Sequence, residues 1–191
     1  MKTVIAGVDE VGRGCIAGPV IAAAVILDPF RPVEGLMDSK KLTPGQREAL
    51  AQSIKTRALA WMVARAEVSE IDAINILQAS LLAMARALTG LKMQPDWVIV
   101  DGCHFPPIAL PGETMVRADE HIPSVSAASI LAKVARDDEM RFLDQIQPGY
   151  EFGRHKGYPT RLHQEKLQLL GASDMHRTSF APVRKILDLT F

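Results

Sequence analysis

Cysteine is scarce in this chain: Cys15 and Cys103 are the only two among 191 residues, and they form no CxxC pair. That excludes a disulfide framework or a structural zinc site and points to a reducing, cytoplasmic setting. No uncharged apolar run reaches 18 residues, and the N-terminus meets Asp9 without a long apolar segment, so neither a membrane span nor an export signal is expected. There is no GxxxxGK[ST] phosphate loop, no GxGxxG fingerprint and no HExxH metal motif. Charge of one sign is missing too, since 22 basic and 22 acidic residues sum to a formal net charge of +0. A binder that works by bulk positive charge is thereby excluded, although a local basic site is not.

What is present describes an ordinary globular chain, 48% hydrophobic and 23% charged. Folding at this length buries roughly 70% of the surface of the unfolded chain, so no metal or disulfide is needed merely to hold a core together. The zero net charge hides a layout. Residues 1–112 carry 11 basic and 11 acidic groups, 113–144 carry 4 and 7, and 145–191 carry 7 and 4, the last stretch with three of the five histidines.

Apolar periodicity predicts strands at Lys2–Asp9, Gly18–Leu27 and Leu59–Val68, then Asp96–Gly102, and a weaker one at Glu113–Ala118. Thr43-Pro44-Gly45-Gln46 reads as a capping box opening a helix from Pro44 to about Arg57. Ser69-Glu70-Ile71-Asp72 opens a long amphipathic helix that Gly90 stops, and Pro123–Gln147 reads as another. A Gly-, His- and aromatic-rich loop, Tyr150–Tyr158, leads to helices near Thr160–Leu170 and Ala181–Leu189. The expected architecture is α/β, a core over 1–147 with a small basic helical segment, 148–191, packed on it.

Two apolar strands end in carboxylates, Asp9-Glu10 and Asp101. Side by side, such strands bring those acids together, and carboxylates without His or Cys favour Mg²⁺ or Mn²⁺. The alternative is that each merely caps a strand end. Neighbouring side chains on a strand face opposite ways, so Asp9 and Glu10 share a site only if the strand ends or twists between them, an irregularity that Val11-Gly12-Arg13-Gly14 is expected to supply. Spacing alone does not choose a further acid among Asp119, Glu120, Asp137, Asp138 and Glu139.

Asp9-Glu10-Val11-Gly12-Arg13-Gly14 with Gly18-Pro19-Val20 resembles the opening of type 2 ribonucleases H, specifically the bacterial ribonuclease HII family. The resemblance runs in order through Asp38-Ser39-Lys40-Lys41-Leu42, Val100-Asp101-Gly102, Ala118-Asp119, Ser126–Val134 with Arg136-Asp137, His155–Thr160, and His176-Arg177 with Ser179-Phe180. It implies a ribonuclease H-like fold, a five-stranded mixed sheet flanked by helices. It also implies Asp9, Glu10, Asp101 and Asp119 as the acidic quartet for two Mg²⁺ or Mn²⁺ ions. The implied activity is endonucleolytic cleavage of RNA in RNA–DNA hybrids and of ribonucleotides embedded in duplex DNA. One departure is Arg117-Ala118, where many relatives have Lys-Gly before the last acid.

The resemblance assigns ribose reading to Gly12, Arg13 and Gly14, whose backbone can approach a 2′-hydroxyl closely, and to Tyr158, which can stack on a sugar or base. Lys40 or Lys41 is expected to contact phosphate, with Arg154, Lys156, Arg161 and Lys166 as a diffuse basic field. Ser126 and Ser129 could anchor phosphate or pack a helix. Asp137 is expected to pair with Arg136 or Lys133, Tyr150 to pack, and His155, His163 and His176 to shape the C-terminal segment. Both cysteines are expected to be small buried hydrophobes. A monomer acting on nucleic acid and away from membranes is the expected state. The rival readings are a nuclease of the same fold acting on DNA without ribose selection, a non-catalytic hybrid-binding module and, more distantly, a small-molecule phosphohydrolase.

Overall fold

A computed structural model describes residues 3–188. Lys2 and Leu189, at the ends of an expected strand and an expected helix, lie outside the described residues. The sheet has five strands, β1 (Ile5–Val11), β2 (Val20–Ile26), β3 (Ala60–Ala66), β4 (Trp97–Asp101) and β5 (Gly112–Met115), in the order β3-β2-β1-β4-β5. Strands β1, β2 and β3 pair antiparallel, whereas β4 and β5 join parallel to β1.

Both faces of the sheet are covered, which explains why β2 reads as an unbroken apolar run, VIAAAVI, buried along its whole length. Its three alanines let helices approach closely from both sides. On one face lies α2 (Val68–Thr89), whose Ile71, Ala79, Ala83 and Leu88 join Ala6, Val8, Ala22 and Ala24 in the larger core cluster. On the other lies α4 (Pro123–Ile146), with α1 (Pro44–Arg57) behind it. Each fully buried Ile or Leu in these clusters contributes about 1.5–3 kcal/mol relative to an exposed position. The start of α4 crosses β1 at Gly7, where a Cβ would lie 2.2 Å from the Ser124 carbonyl carbon. Only glycine permits that approach, and it carries the small residues Ser126–Ser129 to the end of β1.

The capping box of α1 forms as read: the Thr43 hydroxyl accepts from Gln46 N, and Gln46 Oε1 accepts from Thr43 N. By length and composition α2 could cross a membrane, but here its apolar face is spent on β1, β2 and β3. It is also not one helix. Asn75 (φ 67°, ψ 163°) breaks it, and the Asn75 Oδ1 accepts from Leu77 N and Gln78 N to cap the second half. The apolar spacing continues through the break, so periodicity alone reads a single helix.

After α4 the chain forms two short helices, α5 (Phe152–His155) and α6 (Arg161–Leu170), then α7 (Ala181–Asp188). The one-turn α5 lies inside the expected loop. Asp72 ties the C-terminal segment to α2, its carboxylate accepting from the amides and hydroxyls of Thr178 and Ser179 at 2.5–3.0 Å.

Candidate active site

The parallel ladder between β1 and β4 ends at Val8 opposite Val100, while β1 continues along β2 through Val11. Asp9, Glu10 and Asp101 therefore stand beyond the last shared rung, where the sheet opens. Strand β1 does not end between Asp9 and Glu10 but stays in register with β2 through both, although its pairing with β4 stops before them. Asp9 instead faces α4 and Glu10 the opposite side, and the gap beside β4 lets both sense Asp101. The irregularity begins one residue later, at Gly12 with φ +98°.

Burial pushes the Asp9 carboxyl well above its ordinary range, and the charges of Glu10 and Asp101 push the same way, against the Ser129 hydroxyl, which lowers it. Burial likewise raises Glu10, opposed by Arg13, whose Nη1 lies 3.3 Å from Glu10 Oε1. Asp119 enters from α3 (Ala118–His121), a single turn, and is raised by burial and Asp101 while Lys40 lowers it. Asp101 Oδ1 accepts from Ala118 N at 2.7 Å, which joins the end of β4 to the turn carrying Asp119. The left-handed residue before this turn is Arg117 (φ 59°), so Ala118, fully buried as the first residue of the turn, is not where a glycine's freedom would be used.

The four acids thus share one field. Among the described residues no three metal-binding side chains are already gathered into an ion shell. Glu10 Oε2 is nevertheless buried without a hydrogen-bond partner. A buried orphan carboxylate oxygen beside other carboxylates fits a divalent cation, because only a cation relieves both desolvation and mutual repulsion.

Around this centre the other expected residues divide. Arg13 is half-exposed beside Glu10, and Tyr158 is 39% exposed, its phenol raised chiefly by burial and lying against Cys15. Lys40 and Lys41 are both exposed in a 3-10 turn, Ser39–Lys41, and only Lys40 registers on Asp119. Ser129 packs between Asp9 and the Ser39 hydroxyl, 3.1 Å from the latter, and Ser126 donates to the Asp119 carbonyl, so both are committed inside the protein.

Asp137 pairs with Lys133 at 2.6 Å, one of the two partners expected, and approaches Arg47 at 3.9 Å, while the Arg136 guanidinium turns to backbone carbonyls. One expectation needs correction: Cys103 is exposed after Gly102 (φ +100°), whereas Cys15 is buried as expected and its thiol raised by burial. Part of the expected basic field is paired locally, Arg154 and Lys166 with Glu151 and Arg161 with Glu165. Lys156 is part-buried and donates to the Asp137 carbonyl.

The three histidines form a chain that sequence spacing does not reveal. His163 Nδ1 donates to the Tyr158 carbonyl (2.9 Å), so its Nε2 must accept, and His176 Nε2 donates to it (3.1 Å). His176 Nδ1 then accepts from Ser173 N (3.0 Å), and His155 donates to the Tyr150 carbonyl while accepting from Gly157 N. Every ring is satisfied only when neutral, and burial holds His163 and His176 down at about 4. Tyr150 packs here too, stacked on Phe152.

An unfolded histidine binds its proton near pH 6.5, above these folded values, so stability is fully present above about 6.5 and declines as pH falls from there toward 4. The raised acids act oppositely, since protonation stabilises the fold. The Asp9→Asn variant removes one of those opposing contributions. Its melting temperature should fall on acidification from pH 6.5 to 5 by roughly 2–4 °C for each kcal/mol lost. A flat profile in that variant would mean that the histidines are not held neutral.

The chain is similar to known proteins over nearly its whole length. The family profile for ribonuclease HII matches residues 6–183. A curated ribonuclease HII from Methylococcus capsulatus is 58% identical over 188 residues, covering 98% of this chain and 97% of that protein. The crystal structure of the ribonuclease H2 from Pyrococcus horikoshii OT3 superposes with TM-score 0.79 at 30% identity, covering 97% of each chain. Bst-RNase HIII in complex with Mn²⁺ shares the fold, with TM-score 0.79 at 20% identity over 98% of this chain and 70% of that one. The chain belongs to the ribonuclease HII family.

Proposed function

We propose that this metal-dependent ribonuclease H cuts the RNA strand of RNA–DNA hybrids, and single ribonucleotides within duplex DNA, leaving 5′-phosphate and 3′-hydroxyl ends. The observation that carries the reading is the opening of the sheet, which sets Asp9, Glu10, Asp101 and Asp119 in one field within the same fold as the ribonuclease HII relatives.

Asp9, Glu10, Asp101 and Asp119 would hold two divalent ions, Mg²⁺ or Mn²⁺; when bound, such ions supply an activated water, neutralise the phosphate and stabilise the leaving 3′-oxygen. Support for Mn²⁺ comes from the Bst-RNase HIII complex of the same fold. The protein's own residues do the rest. Gly12, Arg13 and Gly14 present backbone to the ribose, and a 2′-hydroxyl, both donor and acceptor, is what separates RNA from DNA there. Tyr158 offers a half-exposed ring to the sugar, held by the His163 contact to its carbonyl. Lys40, beside Asp119, is placed to meet the phosphate backbone, with Lys41 next to it.

The intended setting is the cytoplasm and the intended state a monomer, organised as a catalytic domain over 1–147 carrying the segment 148–191. A three-substrate panel tests the reading: all-DNA duplex, RNA–DNA hybrid, and duplex DNA with one ribonucleotide, each with Mg²⁺ or Mn²⁺. Cleavage of the second and third with the first left intact is expected. Cutting of all three alike would favour a DNA nuclease without ribose selection, and cutting of none would favour a binding module.

A further inference from the structure

Arg136 and Arg177 are the largest fully buried side chains among the described residues, and neither makes an ion pair there. Burying an unpaired cation costs several kcal/mol unless dense hydrogen bonding offsets it. Here the offset comes from backbone carbonyls, all but one of them in one short stretch. Arg136 donates to Pro19 O (3.2 Å), Ala17 O (3.1 Å) and Lys156 O (2.6 Å). Arg177 donates to Arg13 O (3.1 Å), Cys15 O (2.7 Å) and twice to Gly18 O (3.0 and 2.8 Å), with its guanidinium 5.2 Å from the Phe180 ring centroid.

The two forks therefore hold the chain from Arg13 to Pro19, and Arg136 extends the hold to Lys156, two residues before Tyr158. Backbone bonds complete the unit, from Ile16 N to Gly157 O (2.9 Å) and from Gly18 N to Met175 O (2.8 Å). Five carbonyls between Arg13 and Pro19 accept from these two guanidinium groups. Lone pairs engaged in this way repel a nearby phosphodiester less than free ones would, and two positive charges lie against the segment.

We infer that Arg136 and Arg177 are positioning residues for ribonucleotide selection: they lock the Gly12–Gly14 corner and the Tyr158 loop into one rigid reading head. The inference rests on the ribose-reading role proposed above for those residues. A planar guanidinium bridges carbonyls on separate turns, which a lysine ammonium does not reproduce even though it keeps the charge.

The test uses Arg136→Lys and Arg177→Lys in the full chain, below the temperature at which either unfolds. Expected are an unchanged Mn²⁺ affinity by calorimetric titration, an affinity for all-DNA duplex within about twofold, and cleavage at a single ribonucleotide slowed by about 100-fold, the cost of misplacing a reading group by about 1 Å. Folded variants cutting at nearly the normal rate would overturn the inference, and so would a parallel loss of Mn²⁺ and duplex binding, which marks general damage. Failure of the unaltered protein to cut that substrate would instead sink the function proposed above.

Hydrogen exchange of the unaltered protein covers the case in which the lysine variants do not fold. The Ile16, Gly18 and Tyr158 amides should exchange slowly and at a common rate. Fast, dissimilar rates, as in an ordinary surface loop, would contradict the rigid unit.

Discussion

Replacing Asp9 or Asp101 by Asn should lower turnover by at least about 10³-fold, and Asp9→Asn should also raise the melting temperature of the metal-free protein. Both effects have one cause. An ionised Asp9 is held against its preference, by burial first and by Glu10 and Asp101 as well. Asn keeps the shape and removes the charge, so the apo fold gains while the centre loses the charge that attracts a divalent ion. Loss of one member of a group that acts as a unit costs nearly as much as loss of all. Kinetics with Mg²⁺ and Mn²⁺, alongside thermal melts with and without metal, check both signs. Near-normal metal-dependent cutting by either variant would remove the quartet from the mechanism.

The second large effect separates two glycines two residues apart. At Gly12 (φ +98°) an added Cβ would sit 2.2 Å from Arg136 Nε, so Gly12→Ala should lose both stability and activity. At Gly14 an added Cβ meets nothing within 4 Å. Gly14→Ala should therefore melt within about 1 °C of the unaltered protein yet cut a single ribonucleotide about 100-fold more slowly, because the methyl group would project where the substrate backbone must come close. Unaltered kinetics in a folded Gly14→Ala variant would take the corner out of ribose reading.

The strands, the capping box of α1 and the long α4 are legible in the sequence because each is a local pattern: apolar runs, a hydroxyl three residues before Gln46, periodic small residues. The quartet is only partly so. Asp9 and Asp101 follow from acids ending apolar strands, but Asp119 comes through the family resemblance, since its one-turn helix has no periodicity and it is set by contact with Asp101 and Ala118.

Long-range polar contacts explain the rest. The i, i+4 pair Lys133–Asp137 is readable from helical spacing, whereas the Arg136 fork is directed 117 residues back to Pro19, a partner that no local spacing indicates. The histidine chain joins residues 13 apart through ring tautomers that no spacing encodes. The acid–base layout along the chain does point to a nucleic-acid enzyme. Part of the C-terminal charge is paired with local acids, while Arg13 stands beside Glu10 and Lys40 acts on Asp119.

The most direct measurement is cleavage-site mapping, at nucleotide resolution, on duplex DNA carrying one ribonucleotide, with Mg²⁺, with Mn²⁺ and with neither. The account predicts a single cut at the ribonucleotide, 5′-phosphate and 3′-hydroxyl ends, and no product without a divalent ion. Cuts scattered through the deoxyribonucleotides, or a cut that persists in chelator, would contradict it.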